Sequence, residues 1–221
     1  MMPFPGPPTD GANGTLLLAV LAAFLYLYVV RQPQSWRRTV VKTAGVALLG
    51  VLAFQQGGPI LLVAALALGA AGDACLSRDG DRWFLAGLAS FLASHVAYVP
   101  LFALEGGGLA AMVSQPWRIA AAVAMVAAVG ALLRILWPGV PVDMRMPVAA
   151  YAAAILAMGL TSLTVPAPII ALGAALFMAS DALLAFGRFR IAPDAQPDWL
   201  GPAVWVLYFA AQLTLTLGFL L

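Results

Sequence analysis

The sequence contains very little charge. Only 9% of its 221 residues are Asp, Glu, Lys or Arg, whereas 63% are hydrophobic. Soluble globular domains carry about 25% charged and about 45–50% apolar residues. A soluble fold could not cover its surface with so few charges, so lipid must be the solvent for most of the exterior. The composition therefore excludes a soluble domain and predicts a membrane protein.

Cysteine and histidine are also scarce, with one residue of each. The single Cys75 excludes an intramolecular disulfide, and the single His95 cannot supply the histidine-rich ligand set of familiar catalytic zinc sites. A site of one histidine and two aspartates is chemically possible, but we expect neither a metal nor another cofactor. The net charge of +2 does not indicate nucleic acid, because the basic residues lie in short loops between apolar runs.

Eight apolar runs follow one another along the chain. A helix needs about 20 apolar residues to cross the hydrocarbon core of a bilayer. The runs cover residues 14–31, 39–55, 58–77, 83–104, 117–137, 146–164, 167–188 and 200–221. The sequence therefore predicts an all-α membrane fold of about eight transmembrane helices. These helices are expected to form a single domain over residues 14–221, after a flexible lead-in over residues 1–13.

Basic residues are distributed unevenly over the loops between these runs. Ten of the eleven lie at one set of alternating loops, and only Arg118 lies at the other set. The positive-inside rule assigns the ten to the cytoplasmic face, which predicts that both termini lie outside the cytoplasm. The Ala-, Gly- and Arg-rich composition is typical of a bacterial protein, so we expect the inner (plasma) membrane.

Two aspartates lie inside apolar runs, where each charge costs at least about 2.5–3.5 kcal/mol on insertion scales. Asp73 lies five residues before Arg78, and Asp181 lies seven residues before Arg188. At 1.5 Å per residue these positions are about 7 Å and about 10 Å inside the cytoplasmic boundary. Two acids at similar depth could share one cavity. Each could instead cap a neighbouring helix or pair with a loop arginine.

Further polar residues lie within the runs. His95 is near the middle of the fourth run with Tyr98 at i+3, and the eighth run has Tyr208 and Gln212 at i, i+4. Such residues either form hydrogen bonds between helices or line a site. Lys42, at the cytoplasmic start of the second run, either extends to the interface or points inward as a counter-charge.

Together these motifs resemble the YhhN family of membrane proteins, whose animal members are lysoplasmalogenases. The similarity rests on Lys42-Thr43, Gly72-Asp73-x-x-Leu76, Trp83-Phe84-x-x-Gly87, His95-x-x-Tyr98, Ser180-Asp181-x-x-Leu184 and Tyr208-x-x-x-Gln212. The family usually has proline at the position of Thr43. The resemblance implies eight transmembrane helices and hydrolysis of the vinyl ether bond of lysoplasmalogens. The implied products are a fatty aldehyde and glycerophosphoethanolamine or glycerophosphocholine.

The resemblance also implies which residues form the site. The expected catalytic residues are Asp73, Asp181 and His95, and the expected substrate-binding residues are Lys42, Tyr98, Tyr208 and Gln212. A vinyl ether hydrolyses by protonation at carbon, which gives an oxocarbenium ion that water captures. This path suits one protonated carboxyl group and one carboxylate. The expected partners are a lysophospholipid substrate and the bilayer.

Two other functions stay open. In a proton-coupled transporter the two acids and His95 would form a proton relay, and in a lipid-binding membrane protein the same residues would bind a headgroup. Residues 66–76 resemble residues 174–184, with Asp73 matching Asp181, and such a repeat would suit a transporter. No matched Gly/Pro break lies near the middle of a span in both halves, which favours the hydrolase.

Overall fold

The computed structural model describes residues 2–221, and no β-strand occurs within that range. The chain forms a succession of helices: α1 (Gly11–Val29), α2 (Trp36–Gln55), α3 (Ile60–Leu76), α4 (Asp81–Glu105), α5 (Gly108–Val113), α6 (Pro116–Leu136), α7 (Arg145–Ser162), α8 (Pro168–Arg190) and α9 (Leu200–Leu220). Short 3-10 turns lie at Trp137–Gly139, Val142–Met144 and Pro193–Ala195. Each of the eight predicted runs corresponds to one long helix, and the short α5 was not predicted.

Within the described residues, seven helices are long and apolar enough to cross a membrane. The remaining long helix, α3, is also apolar but has 17 residues. That length is at the lower end of the range of about 17–25 residues for a spanning helix. The prediction of an all-α membrane fold is therefore confirmed, with seven clear spans and a shorter eighth apolar helix.

The helix starts differ from the predicted ones where polar residues form the first turn. α2 begins at Trp36 instead of residue 39, because Ser35 caps it and accepts a hydrogen bond from the Arg38 backbone N–H at 3.3 Å. A criterion based on apolar runs excludes the two arginines of this turn. As a result Lys42 lies about two turns inside α2, not at its start.

The segment before α1 contacts the first turns of that helix. The Asn13 amide donates to the carbonyl oxygens of Phe4 at 3.0 Å and Gly6 at 3.3 Å, and its oxygen accepts from the Phe4 backbone N–H at 3.2 Å. Both Asn13 and Phe4 are buried. These bonds hold residues 4–6 of the lead-in, expected to be flexible, against the start of α1.

The helices divide into two compact units. The first unit extends to Tyr98 and resumes over Gln212–Leu221, and the second unit is Val99–Ala211. In the first unit α1 packs on α2, and α2 packs on α3. In the second unit α6 packs on α7, and α7 packs on α8. The single domain expected over residues 14–221 stays a prediction.

Two serine hydroxyls attach α4 to α3 in the first unit. Ser90 Oγ donates to the carbonyl oxygen of Leu68 at 2.7 Å, and Ser94 Oγ donates to that of Ala65 at 2.8 Å. Hydrogen bonds of this kind between apolar helices replace contacts that water would make in a soluble protein. They fix the position of α4 along α3 next to His95.

Glycines bring the same two helices into close contact. A Cβ atom on Gly72 would lie 2.7 Å from the Phe91 ring, and one on Gly87 would lie 2.7 Å from Leu76. Small residues at helix interfaces allow such close approach. Gly72 and Gly87 therefore allow α3 and α4 to approach closely at the positions of Phe91 and Leu76.

Arg118, the basic residue on the predicted extracytoplasmic side, is buried in the second unit. Its Nη1 donates to the carbonyl oxygens of Leu163 at 2.5 Å and Val165 at 2.9 Å, and its Nη2 donates to that of Pro166 at 3.2 Å. These carbonyls follow the end of α7, where a helix leaves such groups without intrahelical partners. Arg118 therefore caps the turn between α7 and α8.

Candidate functional site

Asp73 is the buried acid of the first unit. It lies three residues before the end of α3 and is 1% exposed. Because α2 packs on α3, Lys42 of α2 reaches it, and the Lys42 Nζ atom lies 3.3 Å from Asp73 Oδ1. The attraction between two such charges is much stronger away from water than at a solvated surface. Of the two directions open to Lys42, the inward one is therefore observed.

An aromatic ring on the neighbouring helix also contacts Lys42. Its Nζ atom lies 5.8 Å from the centre of the Tyr26 ring of α1, and Tyr26 is buried. A cation over the face of an aromatic ring is attracted by the negative potential of that face. Side chains of α1 and α3 together therefore hold the ammonium group of Lys42.

Two threonines of α2 near Lys42 have contrasting surroundings. The Thr39 and Ser77 hydroxyl oxygens are 2.6 Å apart, a hydrogen bond that adds a second polar link between α2 and the end of α3. The Thr43 hydroxyl is buried and has no hydrogen bond to any of residues 2–221. Thr43 occupies the position where the resemblance leads one to expect proline.

His95, Tyr98 and Gln212 are fully buried in the first unit. The Tyr98 hydroxyl donates to Gln212 Oε1 at 2.6 Å. His95 lies on the same helix, three residues before Tyr98 and next to Ser94, whose hydroxyl is bound to α3. The structure therefore brings Tyr98 and Gln212 together although 114 residues separate them in sequence.

Asp181 is the acid of the second unit. It lies nine residues before the end of α8 and is partly buried. The Tyr151 hydroxyl of α7 donates to Asp181 Oδ2 at 2.5 Å. That distance is at the short limit for a hydrogen bond between two oxygen atoms. Tyr151 therefore fixes one of the two carboxyl oxygens.

Tyr151 was not predicted from the sequence as a site residue. It lies within an apolar run, and the side chain of tyrosine is largely an apolar ring, so it is easily taken for a packing residue. The available signal was its hydroxyl group, since this is one of five tyrosines in the chain and it lies inside a span. Its partner on α8 could not be deduced without the rotation of both helices.

Tyr208 is buried in α9 and faces α8. Its ring meets the Phe177 ring edge to face, with centroids 5.3 Å apart and planes at 74°. The Ser180 hydroxyl, next to Asp181 in sequence, donates to the carbonyl oxygen of Val204 at 3.0 Å. α8 and α9 are thus attached at the level of Asp181, with Tyr208 one turn beyond the attachment.

The predicted site residues form local groups within the two units. Lys42, Asp73, His95, Tyr98 and Gln212 belong to the first unit, and Asp181 and Tyr208 belong to the second. Lys42 pairs with Asp73, Tyr98 with Gln212, and Asp181 with Tyr151. Over residues 2–221 no three His, Cys, Asp or Glu side chains cluster in a way that could hold a metal ion.

Apolar helices of spanning length that enclose ion-paired and hydrogen-bonded acids define a polytopic integral membrane protein with polar sites in its interior. The model of the YhhN family matches residues 37–219. The chain belongs to the YhhN family, which confirms the resemblance of its motifs.

Several curated proteins are similar to this chain. Proteins of Mycobacterium bovis and Mycobacterium tuberculosis, both named lysoplasmalogenase, are 36% identical to it over 166 residues, which are 72% of this chain and 59% of theirs. The chain thus matches about three fifths of the length of these relatives. The human protein named lysoplasmalogenase TMEM86B is 30% identical over 206 residues, which are 90% of this chain and 83% of that protein. No solved structure matches the chain.

Proposed function

We propose that this protein is a membrane-embedded ether hydrolase that cleaves the vinyl ether bond of lysoplasmalogens. The products are a fatty aldehyde and glycerophosphoethanolamine or glycerophosphocholine. The observation that carries the proposal is the similarity over 90% of the chain to a relative named lysoplasmalogenase. It is supported by two intramembrane acids, each of which has a polar partner on a neighbouring helix.

The reaction needs only acid–base chemistry and one water molecule. A carboxylic acid donates its proton to the vinyl carbon that does not carry the ether oxygen, and the C=C electron pair forms the new C–H bond. The resulting oxocarbenium ion adds water, whose extra proton passes to a carboxylate, and a hemiacetal forms. A carboxylate then takes the hemiacetal O–H proton while a carboxylic acid protonates the glycerol oxygen, and cleavage of the C–O bond releases the aldehyde and the glycerol with its free hydroxyl. Positioned acids and bases contribute about 10²–10⁴-fold to such steps.

In this proposal Asp73 and Asp181 are the two carboxyl groups, and the carboxylate form also stabilises the oxocarbenium ion by its charge. His95 and Tyr208 orient the water or the glycerol hydroxyl. Lys42 has two candidate roles, as a ligand of the substrate phosphate and as the counter-ion of Asp73, and the ion pair favours the second.

The test is aldehyde release from a lysoplasmalogen by the purified protein in lipid nanodiscs. Asp73→Asn and Asp181→Asn are each expected to lower kcat by at least about 100-fold, because one proton-transfer group is lost. Asp194→Asn is the matched control, since Asp194 lies in an exposed turn. Near-normal activity in both site variants would contradict the acid pair.

A wild-type protein without aldehyde release would contradict the proposed hydrolase function. Substrate uptake into proteoliposomes without hydrolysis would indicate a carrier.

The proposed location is a bacterial inner membrane with both termini outside the cytoplasm. This placement is based on the ten basic residues at alternating loops. A reporter enzyme that is active only outside the cytoplasm, fused to Leu221, is expected to be active. The same reporter fused after Arg190, at the end of α8, is expected to be inactive. The reverse pattern would overturn the orientation.

A further inference from the structure

The hydroxyl group of Tyr151 binds Asp181 from the neighbouring helix of the second unit. It donates to Oδ2 at 2.5 Å, and both residues are partly buried between α7 and α8. Tyr151 belongs to none of the motifs on which the family resemblance rests. Its contact with a site residue gives it a candidate role of its own.

The two helices place these residues at the same level. Tyr151 lies eleven residues before the end of α7, and Asp181 lies thirteen residues after the start of α8. At 1.5 Å per residue, the two positions are about 17 Å and about 20 Å from the turn that joins the helices. Because consecutive helices joined by a short turn pack side by side, the phenol and the carboxyl group meet.

We propose that Tyr151 is a positioning residue that fixes Oδ2 of Asp181 and so directs Oδ1 of the same carboxyl group toward the proton transfer. This inference rests on the proposed function. The two oxygens of a carboxylate are chemically equivalent, so either can take the proton, and the group turns easily about its terminal bond. A donor that occupies Oδ2 makes the oxygens unequal, so the proton of the acid form is carried on Oδ1.

The orientation of an acid affects its rate of proton transfer strongly. A misplacement of about 1 Å can lower a rate by about 100-fold, because the reacting atoms no longer meet in line. Tyr151 needs no contact with the substrate to have this effect. A bond that only tied α7 to α8 would change the stability of the protein but not kcat of the folded fraction.

The experiment compares kcat and KM for lysoplasmalogen hydrolysis in the wild type, Tyr151→Phe, Asp181→Asn and the double variant. Tyr151→Phe removes the donor and keeps the ring, so kcat is expected to fall about tenfold while KM stays within about twofold. The double variant is expected to equal Asp181→Asn, because Tyr151 acts through that residue. Tyr28→Phe is the matched control, since Tyr28 is 83% exposed on α1, and no change is expected.

Two outcomes of this comparison would overturn the proposal. One is a Tyr151→Phe protein with the kcat of the Tyr28→Phe control. The other is a double variant whose kcat is lower than that of Asp181→Asn by the full factor seen for Tyr151→Phe alone. If Tyr151→Phe does not fold, fluorotyrosine at position 151 keeps the size and the donor but alters its acidity. Phenol acidity sets the strength of the hydrogen bond that holds Oδ2 of Asp181. A graded change of kcat with this acidity then supports the proposal, and a constant kcat overturns it.

Infrared spectroscopy tests the bond without any assay of activity. The vibration of the Asp181 carboxyl or carboxylate group is identified as the band that Asp181→Asn loses. This band is expected to shift in Tyr151→Phe or in the fluorotyrosine protein, and an unshifted band would overturn the proposal. A wild type that releases no aldehyde would contradict the proposed function alone, because the infrared result does not depend on turnover.

Discussion

The ammonium group of Lys42 lies 3.3 Å from Oδ1 of Asp73, and only 12% of the Lys42 side chain is exposed. An amine that binds a substrate phosphate needs access to the headgroup region, whereas this one is engaged by a carboxylate and an aromatic ring of its own unit. The proposed role of Lys42 as a counter-ion predicts an effect on the chemistry of every substrate, with or without a phosphate.

Lys42→Met is expected to lower kcat by at least about tenfold both for a lysoplasmalogen and for an alkenylglycerol without phosphate. The reason is that Asp73 loses its compensating charge, so its buried carboxylate form, which in the proposed reaction stabilises the oxocarbenium ion, becomes unfavourable. The measurement is aldehyde release from the two substrates by the folded protein.

Arg82→Met serves as the control for Lys42→Met, since Arg82 is an exposed basic residue at the start of α4. It is expected to keep kcat for both substrates. If Lys42→Met instead raised KM for the phosphate-bearing substrate alone, Lys42 would be a phosphate ligand and its role as a counter-ion would be wrong.

Tyr98→Phe is expected to lower the free energy of unfolding by about 1–2 kcal/mol. It removes the hydroxyl that donates to Gln212 at 2.6 Å between two fully buried side chains, and a buried acceptor that loses its donor retains the cost of desolvation. Unfolding in sodium dodecyl sulfate, followed by tryptophan fluorescence, measures the change.

A double-mutant cycle with Gln212→Leu isolates this bond. The two changes together are expected to cost less than the sum of the single changes, by about 0.5–3 kcal/mol, because each single variant already breaks the bond. Strict additivity would show that Tyr98 and Gln212 do not interact in the folded protein.

Arg118→Met is expected to lower the free energy of unfolding by about 3 kcal/mol, because three carbonyl oxygens after the end of α7 lose a charged donor. Arg134→Met on the same helix is the comparison, since Arg134 is exposed, and its effect is expected to stay within about 0.5 kcal/mol. The two variants are compared by detergent unfolding. Equal stability of the two would mean that Arg118 does not cap this turn.

Thr43→Val is expected to raise the free energy of unfolding by about 1 kcal/mol. The buried hydroxyl has no hydrogen bond to the described residues, so an apolar group of the same shape removes a desolvation cost. Thr39→Val, four residues earlier on α2, breaks the bond to Ser77 and is expected to lower stability by a similar amount. A Thr43→Val protein that is less stable than the wild type would show that the Thr43 hydroxyl does not carry an uncompensated cost of desolvation.

The order of the apolar helices could be predicted because apolar length decides whether a helix can cross lipid, and α3, with 17 residues, lies at the lower limit of that length. Asp73 and Asp181 could be recognised as candidate site residues because a charge inside a span is costly wherever it points. The direction of the Lys42 side chain could not be predicted from the sequence. That direction depends on the rotation of α2 against α3, which the packing of both helices sets.

A residue such as Tyr151, whose candidate role depends on a partner distant in the sequence, could not be predicted from the sequence alone. Tyr151 lies 30 positions from Asp181 and has no charge to make it conspicuous, so only the pairing of α7 with α8 reveals it. The start of α2 was missed for another reason, because its first turn is held by the Ser35 cap and not by apolar residues. The depths inferred for the two acids were counted from loop arginines, whereas Asp73 and Asp181 lie three and nine residues from the ends of their helices.

The hydroxyls of Ser90 and Ser94 have a mechanical consequence. They bind carbonyl oxygens of α3 one turn apart, so α4 cannot slide or roll on α3 without breaking both bonds at once. The backbone positions of Asp73 on α3 and His95 on α4 are therefore expected to move together, as parts of one rigid helix pair. Thermal motion is therefore expected to change the separation of these two backbone positions less than it would without the two serine bonds.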